Sequence, residues 1–150
     1  DITAKKIGKA TITAKIGKIK RKCKVTVKSV NDIVKISLPN MPYTVNSYGY
    51  NNEIQKSVNI IDAYYSGEVF KESNYRIRLC LSGTVLYNSS YSPFDTYKVS
   101  WRLYDGNNNV VESGETWALS YAVGETFWDK ENMIFNMKPG KYTLKIVGVV

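Results

Sequence analysis

The chain of 150 residues has no histidine, only two cysteines and four prolines, and no run of about eighteen apolar residues. Without histidine it lacks the usual general base near neutral pH, the Ser-His and Cys-His nucleophile pairs, and most zinc ligand sets. Without a long apolar run, no membrane insertion is expected. Cys23 shares a strand face with Val25 and Val27, while Cys80 alternates with Tyr75, Ile77, Leu79 and Leu81 in another segment. A disulfide needs close approach of the two Cβ atoms, so both thiols are expected to be free, small fillers, buried or half-buried. The first 29 residues contain no aromatic side chain and a single acid, Asp1.

What is present divides sharply along the chain. Residues 1 to 29 hold ten Lys/Arg against Asp1, a net charge of +9, whereas residues 30 to 150 hold eleven Lys/Arg against twelve Asp/Glu, a net −1. The overall +8 therefore belongs to one segment. Lys18, Lys20, Arg21, Lys22 and Lys24 form its densest part and are the candidate polyanion patch, with a cell-wall polyanion as partner. The plainer reading is a solvated strand face. Nucleic acid is not expected, since no aromatic ring is present there for a base to stack on. With 43% hydrophobic residues and nineteen aromatics (12 Tyr, 4 Phe, 3 Trp), the remainder can bury a core. Asp1 opens within a β pattern and no signal peptide precedes it, so the chain is expected to be a piece of a longer protein.

The periodicity is that of strands. Ala10, Ile12, Ala14 and Ile16 alternate with polar residues, Gly17-Lys18 turns the chain, and Cys23, Val25 and Val27 return it as a hairpin. Val30 to Leu38 suits a connecting or first strand, Tyr43 to Gln55 an irregular loop, and Val58 to Tyr65 a strand ended by a Ser66-Gly67 turn. Tyr75, Ile77, Leu79 and Leu81, and then Tyr97, Val99, Trp101 and Leu103, are expected to face one core, with Trp101 as its anchor. Asp105 to Asn109 marks a hairpin turn; Asp105, Asn107 and Asn109 imitate a calcium loop, but Val110 stands where that loop needs glycine. Near the end, Pro139-Gly140 suits a type II turn with Gly140 at positive φ, feeding a strand with Tyr142, Leu144 and Ile146 on one face.

Two resemblances attach to these residues. Gly8-Lys9-Ala10-Thr11-Ile12-Thr13-Ala14-Lys15, followed by Cys23-Lys24-Val25-Thr26-Val27-Lys28, resembles the last two strands of a bacterial immunoglobulin-like domain of group 2. The likeness covers residues 1–29, without the strands that precede them in such a domain. An isolated hairpin is marginal in water, so it is expected to lean on the following domain or on another molecule. Pro139-Gly140-Lys141-Tyr142 resembles the corner of immunoglobulin-like sandwiches, where a tyrosine hydroxyl bonds to upstream backbone. The expected fold is all-β: an immunoglobulin-like antiparallel β-sandwich at 58–150, preceded by a partial immunoglobulin-like β-hairpin at 1–29 and a connecting strand and loop at 30–57. Either Tyr142 opens the last strand or an edge is completed from elsewhere.

No pair of carboxylates, nucleophile system or phosphate loop stands out, so no enzyme, no cofactor and no metal site is expected. Aromatic residues outside the regular strands remain: Tyr43, Tyr48 and Tyr50; Tyr87, Tyr91 and Phe94; Trp117, Tyr121 and Trp128. Rings beside acids and amides suit a glycan, whose apolar face stacks while its hydroxyls take polar partners. Trp117, Tyr121, Trp128 and Asp129 are the candidate ligand-binding residues. The resemblance implies an extracellular, cell-wall or cell-surface location and a non-catalytic interaction or spacer module, adhesin-like, whose partner is a glycan or another surface protein. The alternative is a carbohydrate-binding module appended to a secreted or surface enzyme.

Overall fold

The computed structural model describes residues 3–71, 74–90, 96–116 and 121–150. The described residues form ten strands and one short helix: β1 (Gly8–Ile16), β2 (Ile19–Val27), α1 (Val30–Ile33), β3 (Val34–Ser37), β4 (Tyr43–Tyr48), β5 (Ile54–Lys71), β6 (Asn74–Asn88), β7 (Val99–Tyr104), β8 (Val110–Glu115), β9 (Thr126–Met137) and β10 (Gly140–Val149). The β1 and β2 strands make a sheet of their own, and the other eight make two four-stranded sheets, ordered β3-β10-β7-β8 and β4-β5-β6-β9. The all-β sandwich expected from the sequence is present. All its pairings are antiparallel except that of β3 with β10, which is parallel.

The core lies between the two sheets. Ile77, Leu79 and Leu81 on β6 are fully buried, and so are Val99 and Leu103 on β7, with Trp101 nearly so. These are the two alternating rows expected to share a core, one contributed by each sheet. Each buried aliphatic or aromatic side chain contributes roughly 1.5–3 kcal/mol relative to exposure. Two polar contacts join the sheets inside this apolar layer. The Trp101 indole N–H donates to Asn132 Oδ1 on β9 at 3.2 Å, and the Ile36 N–H on β3 donates to the Tyr65 hydroxyl on β5 at 3.2 Å.

Several local expectations are corrected. Ser66-Gly67 is not a turn: β5 runs through it, with Gly67 opposite Ile77. Glycine is required there by packing, because a Cβ at that position would run into the Val30 and Ile77 side chains. A register shift between Ile60 and Asp62 lets this long strand change phase, so that Val58 and Ile60 face inward before it and Ala63 after it. Tyr43 to Gln55 is not an irregular loop, because it supplies β4 and the start of β5. The segment 30–57 is thus part of the sandwich, giving β3 to one sheet and β4 to the other. It also contains the one-turn α1, whose capping box joins the Ser29 hydroxyl to the Asn31 N–H at 3.3 Å and the Asp32 carboxylate to the Ser29 N–H at 3.2 Å.

The Pro139-Gly140 turn differs too. Gly140 does not take a positive φ; it is the first residue of β10, paired with Val34, and Asn136 four residues earlier has φ 58°. The corner itself is present, since the Tyr142 hydroxyl donates to the Lys138 carbonyl at 2.8 Å. Tyr142 is the third residue of β10, and the chain passes from β9 in one sheet to β10 in the other through this contact. Both cysteines are free; Cys80 is fully buried as expected, but Cys23 is exposed, because nothing among the described residues covers the hairpin.

Replacing Tyr142 by Phe removes one net hydrogen bond and leaves the Lys138 carbonyl to water. The expected loss is about 1 kcal/mol, read as a lower denaturant midpoint at unchanged slope. The hairpin and the sandwich should also differ in protection. Amides of β1 and β2 should be at least about a thousandfold less protected from hydrogen exchange than those of β6, as expected of a marginal two-stranded sheet beside a cooperative core.

Candidate functional site

The hairpin face follows from its turn. Gly17 takes φ 57° in a two-residue loop, which places Ile16 opposite Ile19. From that register Lys15 lies opposite Lys20, Thr13 opposite Lys22, Thr11 opposite Lys24 and Lys9 opposite Thr26. One face therefore carries Lys9, Lys15, Lys20, Lys22 and Lys24 with three threonines, all exposed. The other carries Ala10, Ile12, Ala14, Ile16, Ile19, Cys23 and Val25, and Ile16 is 82% exposed. Of the candidate patch, Lys20, Lys22 and Lys24 come together. Arg21 does not: it pairs with Ala14 on the apolar face, and Lys18 sits in the turn. Lys9 and Lys15 were missed by sequence reasoning, although period-two counting through the Gly17-Lys18 turn places them with the others.

The candidate ligand residues separate in the structure. Trp117 lies outside the described residues, as do Tyr91 and Phe94. Tyr121 is half-buried, with its ring centroid 6.0 Å from that of the buried Phe127 and Lys130 Nζ 5.4 Å above it, so it joins the margin of the core. Trp128, one residue beyond Phe127, is 64% exposed. Gly83 pairs with Phe127 and Leu81 with Lys130, so Trp128 and Asp129 together stand opposite the single residue Ser82. Asp129 takes φ 47° at this bulge, its N–H donating to Ser82 Oγ at 2.9 Å. Beside the bulge a polar row crosses all four strands through paired positions, Thr44, Asn59, Thr84 and Thr126. Thr44 Oγ1 donates to Asn59 Oδ1 at 3.3 Å, and the Thr84 and Thr126 hydroxyls are 3.0 Å apart.

Among the hollows of the described residues, two bear on the candidate residues or on the inter-sheet contact. β8 and β9 are each the last strand of their sheet, and the open cleft of about 710 Å³ between them is floored by Trp101 and Asn132. Gly114 is needed there, since a Cβ would stand 2.6 Å from the Trp101 ring. The carboxylates lining this cleft are engaged: Glu131 pairs with Arg78, Glu115 lies 3.7 Å from Lys98 Nζ, and Glu112 accepts from the Ser113 N–H at 3.3 Å. The second hollow, of about 510 Å³, is lined by Glu53, Gln55, Ser57, Tyr87 and Ser89, and Tyr87 is exposed. Tyr43, Tyr48 and Tyr50 are exposed as well.

Perturbed acidities have structural causes. A hydrogen bond with the buried Cys80 side chain pushes the Tyr64 hydroxyl up to about 12. The Asp105 carboxylate is held below its ordinary value mainly by the Asn109 backbone N–H, which donates to Oδ1 at 2.9 Å; the Asn107 N–H adds a second such bond at 2.9 Å. That carboxylate is thus occupied by the β7–β8 turn, with Asn108 at φ 62°. Among the described residues no group of three His, Cys, Asp or Glu could hold a metal ion. Comparison with protein-family models, with curated proteins and with solved structures gives no match, so the functional reading rests on fold and side-chain placement.

The Asp105 carboxylate supplies a pH test of the turn. Its folded pKa lies below the unfolded value, so its contribution is present above about pH 4 and is lost as pH falls through the folded value. Asp105→Ala should therefore unfold at a lower temperature than the parent at pH 7. The gap should narrow toward pH 3, as checked by thermal melts across that range.

Proposed function

We propose that the chain is a non-catalytic, extracellular interaction or spacer module of a multidomain, adhesin-like protein of the bacterial cell surface. The observation that carries this reading is the hairpin, a single layer of sheet whose apolar face is uncovered among the described residues. A β layer of this kind needs a second layer to exclude water. Its strands also resemble the closing strands of a bacterial immunoglobulin-like domain, a building block used in series. Beside it stands a sandwich whose hollows are open and whose cleft carboxylates are engaged in ion pairs and hydrogen bonds. Antibodies raised against the 150-residue chain should label intact cells of the source organism without permeabilisation. Labelling that appears only after permeabilisation would overturn the surface assignment.

A glycan is the second reading, favoured by the exposed Trp128 beside Asp129 and the Thr/Asn row. An indole can stack on a sugar face while hydroxyls and amides take its polar groups. One or two stacked rings, opposed by association entropy, leave dissociation constants of about millimolar to micromolar. On a glycan array followed by tryptophan fluorescence titration, Trp128→Ala should lose at least about tenfold in affinity for any glycan the parent retains, with Tyr87→Ala unchanged. The opposite pattern would move the site to the Tyr87 hollow.

A further inference from the structure

Cations of the sandwich are commonly held by a partner. Arg76 pairs with Glu68, Arg78 with Glu131 and Lys98 with Glu115, while Lys130 and Lys145 lie over Tyr121 and Tyr104. The hairpin is arranged the other way. Lys15 and Lys20 stand directly opposite one another, and Lys22 and Lys24 continue the row at every second residue of β2. Like charges opposed across a sheet are destabilising. Residues 3–28 contain no acid that could relieve them. Side chains two residues apart on a strand are about 7 Å apart, and neighbouring strands are about 4.8 Å apart. The five ammonium groups thus form a flat array that any chain of regularly spaced anions can cross in extended form, with Thr11, Thr13 and Thr26 hydroxyls as donors between them.

We propose that this lysine face of the β1–β2 hairpin binds a linear polyanion without bases, a flexible chain bearing repeated sulfate or phosphate groups. It rests on the reading of the chain as an interaction module and gives that module a partner. Base-free chemistry is favoured over nucleic acid because the hairpin has no aromatic ring to stack on. Its one guanidinium, Arg21, lies on the opposite face, leaving point charges without a bidentate fork. Neutralising the array removes the Lys15–Lys20 repulsion, so binding and order of the hairpin are coupled.

The test uses the whole 150-residue chain and fluorescence anisotropy with labelled heparin oligosaccharide, labelled polyphosphate and labelled duplex DNA, each from 50 to 200 mM salt. Five contacts predict a slope of log K against log salt of about −3.5 for a flexible chain. Lys20→Gln/Lys22→Gln/Lys24→Gln should shrink that slope by about 2 and weaken binding at 50 mM salt at least about tenfold. The equally charged control Lys35→Gln/Lys138→Gln/Lys141→Gln, altered only on the sandwich, should match the parent. Lys22→Gln should exceed Arg21→Gln in effect, since these neighbours lie on opposite faces. Heparin alone, polyphosphate alone or both bound in this pattern supports the proposal and identifies the anion. Equal loss in the sandwich control, no binding of either polymer, or duplex DNA held as tightly as both would overturn it. Failure here is separable from failure of the surface assignment, which cell labelling decides.

Discussion

The contact between Trp101 and Asn132 ties the two sheets together, one strand in from the edge of one sheet and on the edge strand of the other. Trp101 belongs to β7 and Asn132 to the edge strand β9, so the indole N–H crosses the apolar layer to find its acceptor. Breaking it leaves the buried indole N–H without its acceptor and Asn132 Oδ1 without that donor, the amide nitrogen keeping its bond to the Lys130 carbonyl, and this costs more than the net worth of the bond itself. The geometry around it is constrained accordingly: Gly114 on β8 must lack a side chain for the ring to lie flat, and Leu103 and Ile134 fill the layer beside it. At the other side of the sandwich the Tyr65 hydroxyl accepts from the Ile36 backbone, giving the short β3 a second tether besides its parallel pairing with β10.

The hairpin obeys a different balance. In the sandwich, apolar burial sets the register and charges find partners at the surface. In the hairpin, two-residue turn geometry sets the register and leaves both faces in water, one apolar and one cationic. Each face is a cost until something covers it: the apolar one through hydration, the cationic one through self-repulsion. On the proposed reading both costs are relieved in a complex, and this is why the hairpin rather than the sandwich dominates that reading.

Strand periodicity made the facing rows on β6 and β7 legible, because alternation in a half-buried sheet is dictated by which side touches water. The Tyr142 corner was legible for a similar reason, a local motif with a local hydrogen bond. What escaped depended on contacts distant in sequence. Gly67 reads as a turn residue until Val30 and Ile77 are seen to close over it. The Asn- and Tyr-rich stretch containing β4 reads as loop because its stabilising pairs, such as Thr44 with Asn59, are polar and cross-strand. Asn132 gave no signal as an inward polar group, since its partner is 31 residues away. For the candidate site, Arg21 was grouped with its neighbours by composition, although period two already sets it apart. The bulge that exposes Trp128 while Phe127 is buried is a register event that no local pattern announces.

The two thiols divide between the two parts of the molecule, Cys23 exposed on the hairpin and Cys80 sealed in the sandwich beneath Tyr64. A maleimide dye or spin label offered to the native protein would therefore select one address without mutagenesis. Because Cys23 pairs with Ile12 on the apolar face, the probe would stand on the side away from the lysines. The chain thus carries its own reporter, able to sense whatever covers the apolar layer while leaving the cationic face free.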